Sequence, residues 1–260
     1  MKSFRTIAGA LVLGLVITVL AGRPVQAGIT ISQSWLKLDG KSEPAAAAIR
    51  IEKDLIRLEM GSSKDVYFIY RGDKQLFWIV NLKEKTYTEM TEKDFEDMMA
   101  KMEQAKKQMA ATLEKMPPEQ RKMMEDMMKK MMPGADAPKT EFKSTGSGGK
   151  INGWNTVKYE AIREGVKRSD IWLAEFNGVG VTDADFAPFK HMAKYFEKFS
   201  PDNEWKLQDK GMPVKSISYK DGKPEFQTEV KSVKKEAQAA SLFEVPAGFA
   251  MKKLGMPPGK

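Results

Sequence analysis

The chain has 260 residues, a formal net charge of +8, one histidine and no cysteine. Zero cysteines exclude disulfides, thiol catalysis and every Cys-containing zinc site, and a lone imidazole, His191, excludes the usual His-rich zinc or copper centre. The 43 lysines and arginines are interleaved with 35 acids, a balance that serves solubility and leaves no nucleic-acid footprint.

Residues 1–27 have the three-part layout of a secretory signal. Lys2 and Arg5 supply the positive start, Ile7 to Leu20 is apolar, and Val25-Gln26-Ala27 puts short side chains where a signal peptidase reads them. The apolar run stops at Gly22-Arg23-Pro24, short of the about 20 residues that span a bilayer. A retained anchor is the competing reading. The expectation is cleavage before Gly28, a mature net charge of +5 after loss of Lys2, Arg5 and Arg23, and a Gram-negative periplasmic location. With no cysteine after the run, lipid attachment to a new N-terminal Cys is excluded.

From Gly28 to Met90 short alternating segments predict an antiparallel meander: Ile29–Ser32, Ile49–Ile51, Leu55–Met60, Val66–Tyr70, Gln75–Val80 and Thr86–Thr88. Arg71-Gly72-Asp73-Lys74 and Asn81 to Lys85 are its turns. Thr91 followed by Asp94 reads as a capping box. From there to Met132 the spacing is helical, broken at Pro117-Pro118 into a hairpin. Phe95, Met99, Met102, Met109, Leu113 and Met116 stripe the first arm, and Met123, Met124, Met127, Met128, Met131 and Met132 the second. Pro133 to Pro138 and Gly146-Ser147-Gly148-Gly149 read as loops, the latter a flexible linker without the strand-to-helix context of a phosphate loop.

Strands resume at Trp154–Ala161 and Ser169–Ala174, across a turn at Glu164-Gly165. A helix over about 183–199 carries the stripe Phe186, Phe189, Met192, Phe196 and Phe199. Asp183 and Asp185 at its start favour the helix dipole and read as caps, not as an acid–base pair. Val214–Tyr219 and Glu225–Val233 form a hairpin about Asp221-Gly222. The predicted fold is α+β: a curved, half-barrel-like antiparallel sheet packed on a Met-rich helical hairpin and a second helix. It forms one domain over 28–250 with a helical insertion at about 91–132, followed by a flexible basic tail, 251–260.

Several phrases of this chain resemble an exported bacterial family known only as domain of unknown function 4412. They are Tyr87-Thr88-Glu89-Met90 before the Met-rich helix, Met116-Pro117-Pro118-Glu119-Gln120-Arg121, Trp154 to Tyr159 with Ile171-Trp172-Leu173-Ala174, and the closing Leu242 to Phe249. The resemblance covers nearly all of the mature chain. It implies a fold similar to the periplasmic lipoprotein carriers, in which a curved sheet wraps helices and its concave side holds acyl chains. The family has no established activity.

Twelve of the 18 methionines lie between Met90 and Met132. Their spacing fits packing against the sheet, an adaptable apolar binding face, or soft-metal ligation through Met124 with Met127 or Met128 and Met128 with Met131 or Met132. No nucleophile–base arrangement is legible, and His191 has no partner in the pattern. The expected function is a non-enzymatic periplasmic binding protein, without a cofactor, for a lipid, acyl chain or apolar peptide. Its expected contacts are Met99, Met102, Met109, Met124, Met128, Trp78 and Trp172. The expected partner is a lipid, a lipoprotein or an envelope protein, and peripheral membrane association is left open. The alternatives are copper handling by methionine pairs and an envelope interaction module with no small ligand.

Overall fold

The computed structural model describes residues 28–61, 63–114, 117, 120–121, 139–197, 204–207 and 209–253. The leader at 1–27, most of the second arm of the expected hairpin and the Pro133–Pro138 loop lie outside the described residues.

The first meander consists of β1 (Gly28–Lys37), β2 (Ala45–Glu52), β3 (Leu55–Glu59), β4 (Val66–Arg71), β5 (Leu76–Asn81) and β6 (Thr86–Thr91). Helix α1 (Glu92–Glu114) follows. The second meander consists of β7 (Glu141–Ile151), β8 (Trp154–Arg163), β9 (Val166–Ala174), β10 (Met212–Lys220) and β11 (Lys223–Glu236), with α2 (Ala187–Glu197) between β9 and β10 and a short β12 (Ala250–Lys252) at the end. The twelve strands among the described residues form one open sheet in the order β12-β6-β5-β4-β3-β2-β1-β11-β10-β9-β8-β7. Every pair is antiparallel except β12 with β6. The two meanders are joined in the sheet by β1 against β11. The molecule is therefore more sheet-dominated than the α+β expectation, and the described chain shows α1 without a helical hairpin.

Turn chemistry sets much of this register. Asn152-Gly153, Glu164-Gly165 and Asp221-Gly222 each have two successive positive φ angles, as two-residue hairpins with the right-handed strand twist require. The Asn152-Gly153 turn corrects one expectation. Gly146 to Gly149 is part of edge strand β7, not a flexible linker, and it carries two bulges against β8. Gly148 is small for a reason: a Cβ there would lie 2.6 Å from the Trp172 ring and 2.5 Å from Thr156 Oγ1.

Asn152 also reveals curvature. Its amide donates to the Val230 carbonyl at 2.6 Å, on β11. Three strand spacings separate β8 from β11, about 14 Å in a flat sheet. A direct hydrogen bond across that gap requires this half of the sheet to curl over.

Period-two alternation distributes the core. Ile29, Ile31, Ile51, Ile56, Tyr70, Phe77 and Met90 form one face, covered by Phe95 of α1 and by Phe189 and Met192 of α2. On the other face Tyr67, Ile69, Leu76, Trp78 and Val80 surround Phe243, which is 0% exposed. β4 and β5 are apolar on both faces, as their unbroken apolar runs demand. A third cluster joins Ala161, Ile171 and Leu173 to Leu207.

The cover over Phe243 is pinned by two arginines. Arg57 donates to the Leu242 carbonyl at 3.0 Å. Arg71, 7% exposed, donates to the Phe243 carbonyl at 3.3 Å, contacts the Glu244 carboxylate, and forks onto Asp73 at 2.8 and 2.7 Å. The Arg71-Gly72-Asp73 sequence is thus a structural clamp as well as a turn. Beyond residue 250, Lys252 continues in β12 and pairs with Glu84 at 2.5 Å.

Phe243→Ala should cost about 3–5 kcal/mol of stability through the cavity it leaves. Arg71→Ala should cost about 2 kcal/mol through lost charged hydrogen bonds. Urea midpoints measure both, and midpoints equal to wild type would show that the C-terminal segment is not part of the core.

Candidate functional site

A pocket of about 220 Å³ lies between the helix-covered face of the sheet and the chain leading into α2. Its floor comes from four strands: Ile31 and Gln33 of β1, Ile49 of β2, Met212, Pro213 and Ser216 of β10, and Thr228 and Val230 of β11. Its roof is Phe176, Phe186 and Phe189, with Lys190 at the edge and Gly211 below.

The floor is low where side chains are short. Ser216 and Thr228 face each other across β10 and β11, and their hydroxyls lie 2.8 Å apart. The roof is a series of rings. Phe176 and Phe186 have centroids 5.0 Å apart, and Phe186 and Phe189 stack at 5.6 Å. Such pairs gain about 0.5–1.5 kcal/mol beyond area burial, which keeps the roof ordered above an unfilled space.

Polar contacts around the rim set the height of the roof. Thr182 and Asp185 form a reciprocal capping box: the Asp185 carboxylate accepts from the Thr182 amide at 2.7 Å and hydroxyl at 2.9 Å, while the Asp185 amide donates to Thr182 Oγ1 at 3.3 Å. Lys235 of β11 pairs with Asp185 at 2.9 Å and ties the helix entrance to the sheet. Burial acts to raise the Asp185 carboxyl, but Lys235 and the Thr182 bonds outweigh it and hold it below the usual carboxylate range. Lys190 pairs with Asp183 at 2.6 Å and Asp209 at 3.1 Å, and these partners raise its ammonium above the ordinary lysine value. Its charge is therefore neutralised at the pocket edge.

The arrangement suits an apolar group carrying a small uncharged polar function. Isoleucine, methionine, valine and phenylalanine supply the contact surface, while Gln33, Ser216 and Thr228 supply hydrogen-bonding groups. Ser216 is bonded to a second hydroxyl, not to a base, so it is not an activated nucleophile. Among the described residues no cluster of three or more His, Cys, Asp or Glu could hold a metal ion. A second, more open hollow of about 410 Å³ is lined by Ser32, Ser34, Ala45 to Ala48, Glu59 and Lys231 and presents mostly apolar surface.

The sequence-predicted contacts fall elsewhere. Trp78 belongs to the Phe243 face, where its indole N–H donates to Glu89 at 2.9 Å and its ring meets Tyr87 edge-on at 6.4 Å. Trp172 lies between the ammonium groups of Lys158 and Lys215, 5.1 and 5.6 Å from its ring. Neither lines the pocket, and seven strand spacings separate β5 from β9. Met99, Met102 and Met109 lie on α1, but their side chains are outside the described residues, as are Met124 and Met128 entirely. The methionine pairs of the copper alternative, Met127, Met128, Met131 and Met132, are also outside them. Phe77 packs in the core against Tyr70 and Phe95. His191 is exposed on α2. Asp185 serves the helix entrance as expected, whereas Asp183 makes no side-chain cap bond and pairs with Lys190 instead. The residues that sequence reasoning missed are Gln33, Ile31, Ile49, Phe176, Ser216 and Thr228. One signal was available: counting outward from Asp221-Gly222 pairs Ser216 with Thr228, once the bulge near Tyr219 is allowed.

A family model described as Domain of unknown function (DUF4412) matches residues 90–249. No curated protein matches the chain. Among solved structures it is similar to PNGF-II, with 13% identity, a TM-score of 0.39, and coverage of 87% of this chain but 31% of that one. It is also similar to a chain of the Pseudomonas aeruginosa MucA/MucB complex, at 11% identity and TM-score 0.38, covering 90% and 63%. A DUF1329 family protein from Desulfovibrio piger is similar at 9% identity and TM-score 0.28, covering 85% and 90%. The chain thus spans about a third of the length of PNGF-II. All three scores are low.

Asp185→Asn should lower stability by about 1 kcal/mol at neutral pH, the usual worth of such a cap. Because the folded-state pKa of Asp185 is depressed, its contribution is present above the ordinary carboxyl pKa of about 3.9 and is lost as pH falls through the folded value. The wild-type and variant unfolding curves should therefore converge in acid. A gap that stays constant down the titration would exclude the carboxylate as its source.

Proposed function

We propose that this chain, which belongs to the family described as Domain of unknown function (DUF4412), is a non-enzymatic binding protein of the bacterial periplasm. It takes an apolar segment, an acyl chain or apolar side chains, under the phenylalanine roof of α2. The observation that carries this reading is the pocket itself: four strands and a ring series surround a mainly apolar space in which the Ser216 and Thr228 hydroxyls bond each other and the Lys190 charge is paired with Asp183. The periplasmic assignment rests on the signal layout of residues 1–27.

Size narrows the ligand. Pockets for whole small molecules run about 300–1,000 Å³, and this one is about 220 Å³. At about 0.8 kcal/mol per buried CH₂, micromolar affinity, about 8 kcal/mol, takes roughly ten methylenes. The pocket therefore holds part of a longer chain. The finer form of the proposal gives the remainder to the Met-rich segment, with Met99, Met102, Met109, Met124 and Met128 as a second, adaptable wall of the curved sheet. Trp78 and Trp172 have no part in it.

Ile49→Trp tests the reading, because Ile49 is half-buried at the pocket and indole bulk fills space without adding charge. Protein purified from its native envelope should carry a lipid mass in native mass spectrometry, released on denaturation. The variant should keep its melting temperature, lose that mass, and bind a fluorescent fatty-acid probe about tenfold or more weakly, a loss of about 1.4 kcal/mol or more. Equal probe affinity in a folded Ile49→Trp protein would overturn the proposal.

A further inference from the structure

The first residue after the expected leader occupies a niche on the central strand. Gly28 is buried at the start of β1, where a Cβ would lie 2.4 Å from Glu52 Oε2, 2.5 Å from the Gln238 side chain and 2.7 Å from the Ile51 carbonyl oxygen. Only glycine fits. Glu52 Oε2, the atom nearest that position, is buried and makes no hydrogen bond among the described residues. A buried carboxylate oxygen without a donor costs free energy, so this arrangement lacks its partner.

Processing would supply the partner. Hydrolysis of the Ala27–Gly28 bond by an envelope signal peptidase adds one water. It leaves a carboxylate on Ala27 of the released leader and an amine on Gly28. Its ordinary pKa, about 7.7–8.0, leaves that amine largely protonated at neutral pH. Nitrogen and Cβ on one tetrahedral carbon are about 2.5 Å apart, so the Gly28 nitrogen lies within about 5 Å of Glu52 Oε2. Freed from the preceding peptide, the terminal nitrogen can turn about the Gly28 Cα–C bond toward the position a Cβ would take, 2.4 Å from Glu52 Oε2 and 2.7 Å from the Ile51 carbonyl oxygen, where an ammonium with three donors can serve both after a small adjustment. The register partner of Gly28 on β11 is Glu236, a second acid, while neighbouring Lys235 is engaged by Asp185.

We infer that the Gly28–Glu52 niche is a docking site for the chain's own mature α-ammonium, so that leader removal completes the core of the sheet. The position gives this consequence. β1 is the strand by which the two meanders join, and Ile31 and Gln33 farther along it floor the pocket. The new terminus is thus anchored on the strand that holds the sheet together. The inference is independent of what the pocket binds.

The test uses protein purified from the envelope. Intact mass should place the N-terminus at Gly28. The folded protein is then exposed to an amine-acetylating reagent near neutral pH, and label on the N-terminal peptide is followed by mass spectrometry. The Gly28 amine should react about tenfold more slowly in wild type than in Glu52→Gln, the factor that about 1.4 kcal/mol of pairing gives. Glu52→Asp, with the charge on a shorter arm, should fall between them. Should Glu52→Gln fail to fold, wild type with and without urea decides, since folding alone should confer the same protection. An N-terminus at another residue, equal rates in folded wild type and Glu52→Gln, or no protection on folding would each overturn the inference.

Discussion

Arg57 and Arg71 hold the C-terminal segment against the sheet, and the placing of everything else follows from that closure. A sheet of twelve strands has two large faces, and α1 and α2 cover only one. Left open, the other would expose Tyr67, Ile69, Trp78 and Val80 together, an apolar patch of the kind that drives association. Phe243 fills it, but one ring cannot hold a chain segment in place against its conformational entropy. The guanidinium groups bind the carbonyls of Leu242 and Phe243, and both have acidic partners that compensate their largely buried charge. With this face sealed by the chain itself, the unfilled apolar space lies under α2.

The hairpin architecture was legible wherever the turn carried its own chemistry. Asp221-Gly222 and Glu164-Gly165 announced their hairpins, and Thr91 with Asp94 announced the start of α1, where the reciprocal bonds of 2.6, 2.8 and 3.2 Å are present. β7 was not legible because its composition argues for a linker. Serine and glycine have no strand preference, and the strand exists because β8 offers a paired edge and because Trp172 needs a neighbour without a side chain. The alanines of β2 were missed for a similar reason. Ala45 to Ala48 bury little themselves, and their pairing with β1 is decided by the isoleucines that follow.

The site was harder to read than the fold, and the difficulty has one source. Alternation assigns Phe77 and Trp78 to opposite faces, but where both faces of a strand are buried it does not say which one keeps a cavity. Trp78 is a prominent side chain with a polar handle, which in the sequence marks it as a contact. The structure shows that handle satisfied by Glu89 and the ring covered by the C-terminal segment. The pocket is made instead by what is missing from the floor. Short hydroxyl side chains at Ser216 and Thr228 leave room that larger residues would have filled. An absence of volume leaves no mark in a hydrophobic pattern.

The bulge between β1 and β11 then explains why the space lies at this seam. Gln33 pairs with Val230 while Ser32 pairs with Ser232, so Lys231 is the extra residue on β11. A bulge sharpens the local twist and re-aims side chains, and here it brings Gln33 and Val230, both pocket residues, opposite one another. The Val230 carbonyl at the bulge is taken up by Asn152, whose turn is brought back by the curl of β8 to β10. Twist, curl and pocket are therefore one feature. A shift of β1 by one residue would turn Ile31 out of the floor and leave that feature without its strand. The fixed point of β1 consequently matters more than its modest length suggests, and that point is its first residue.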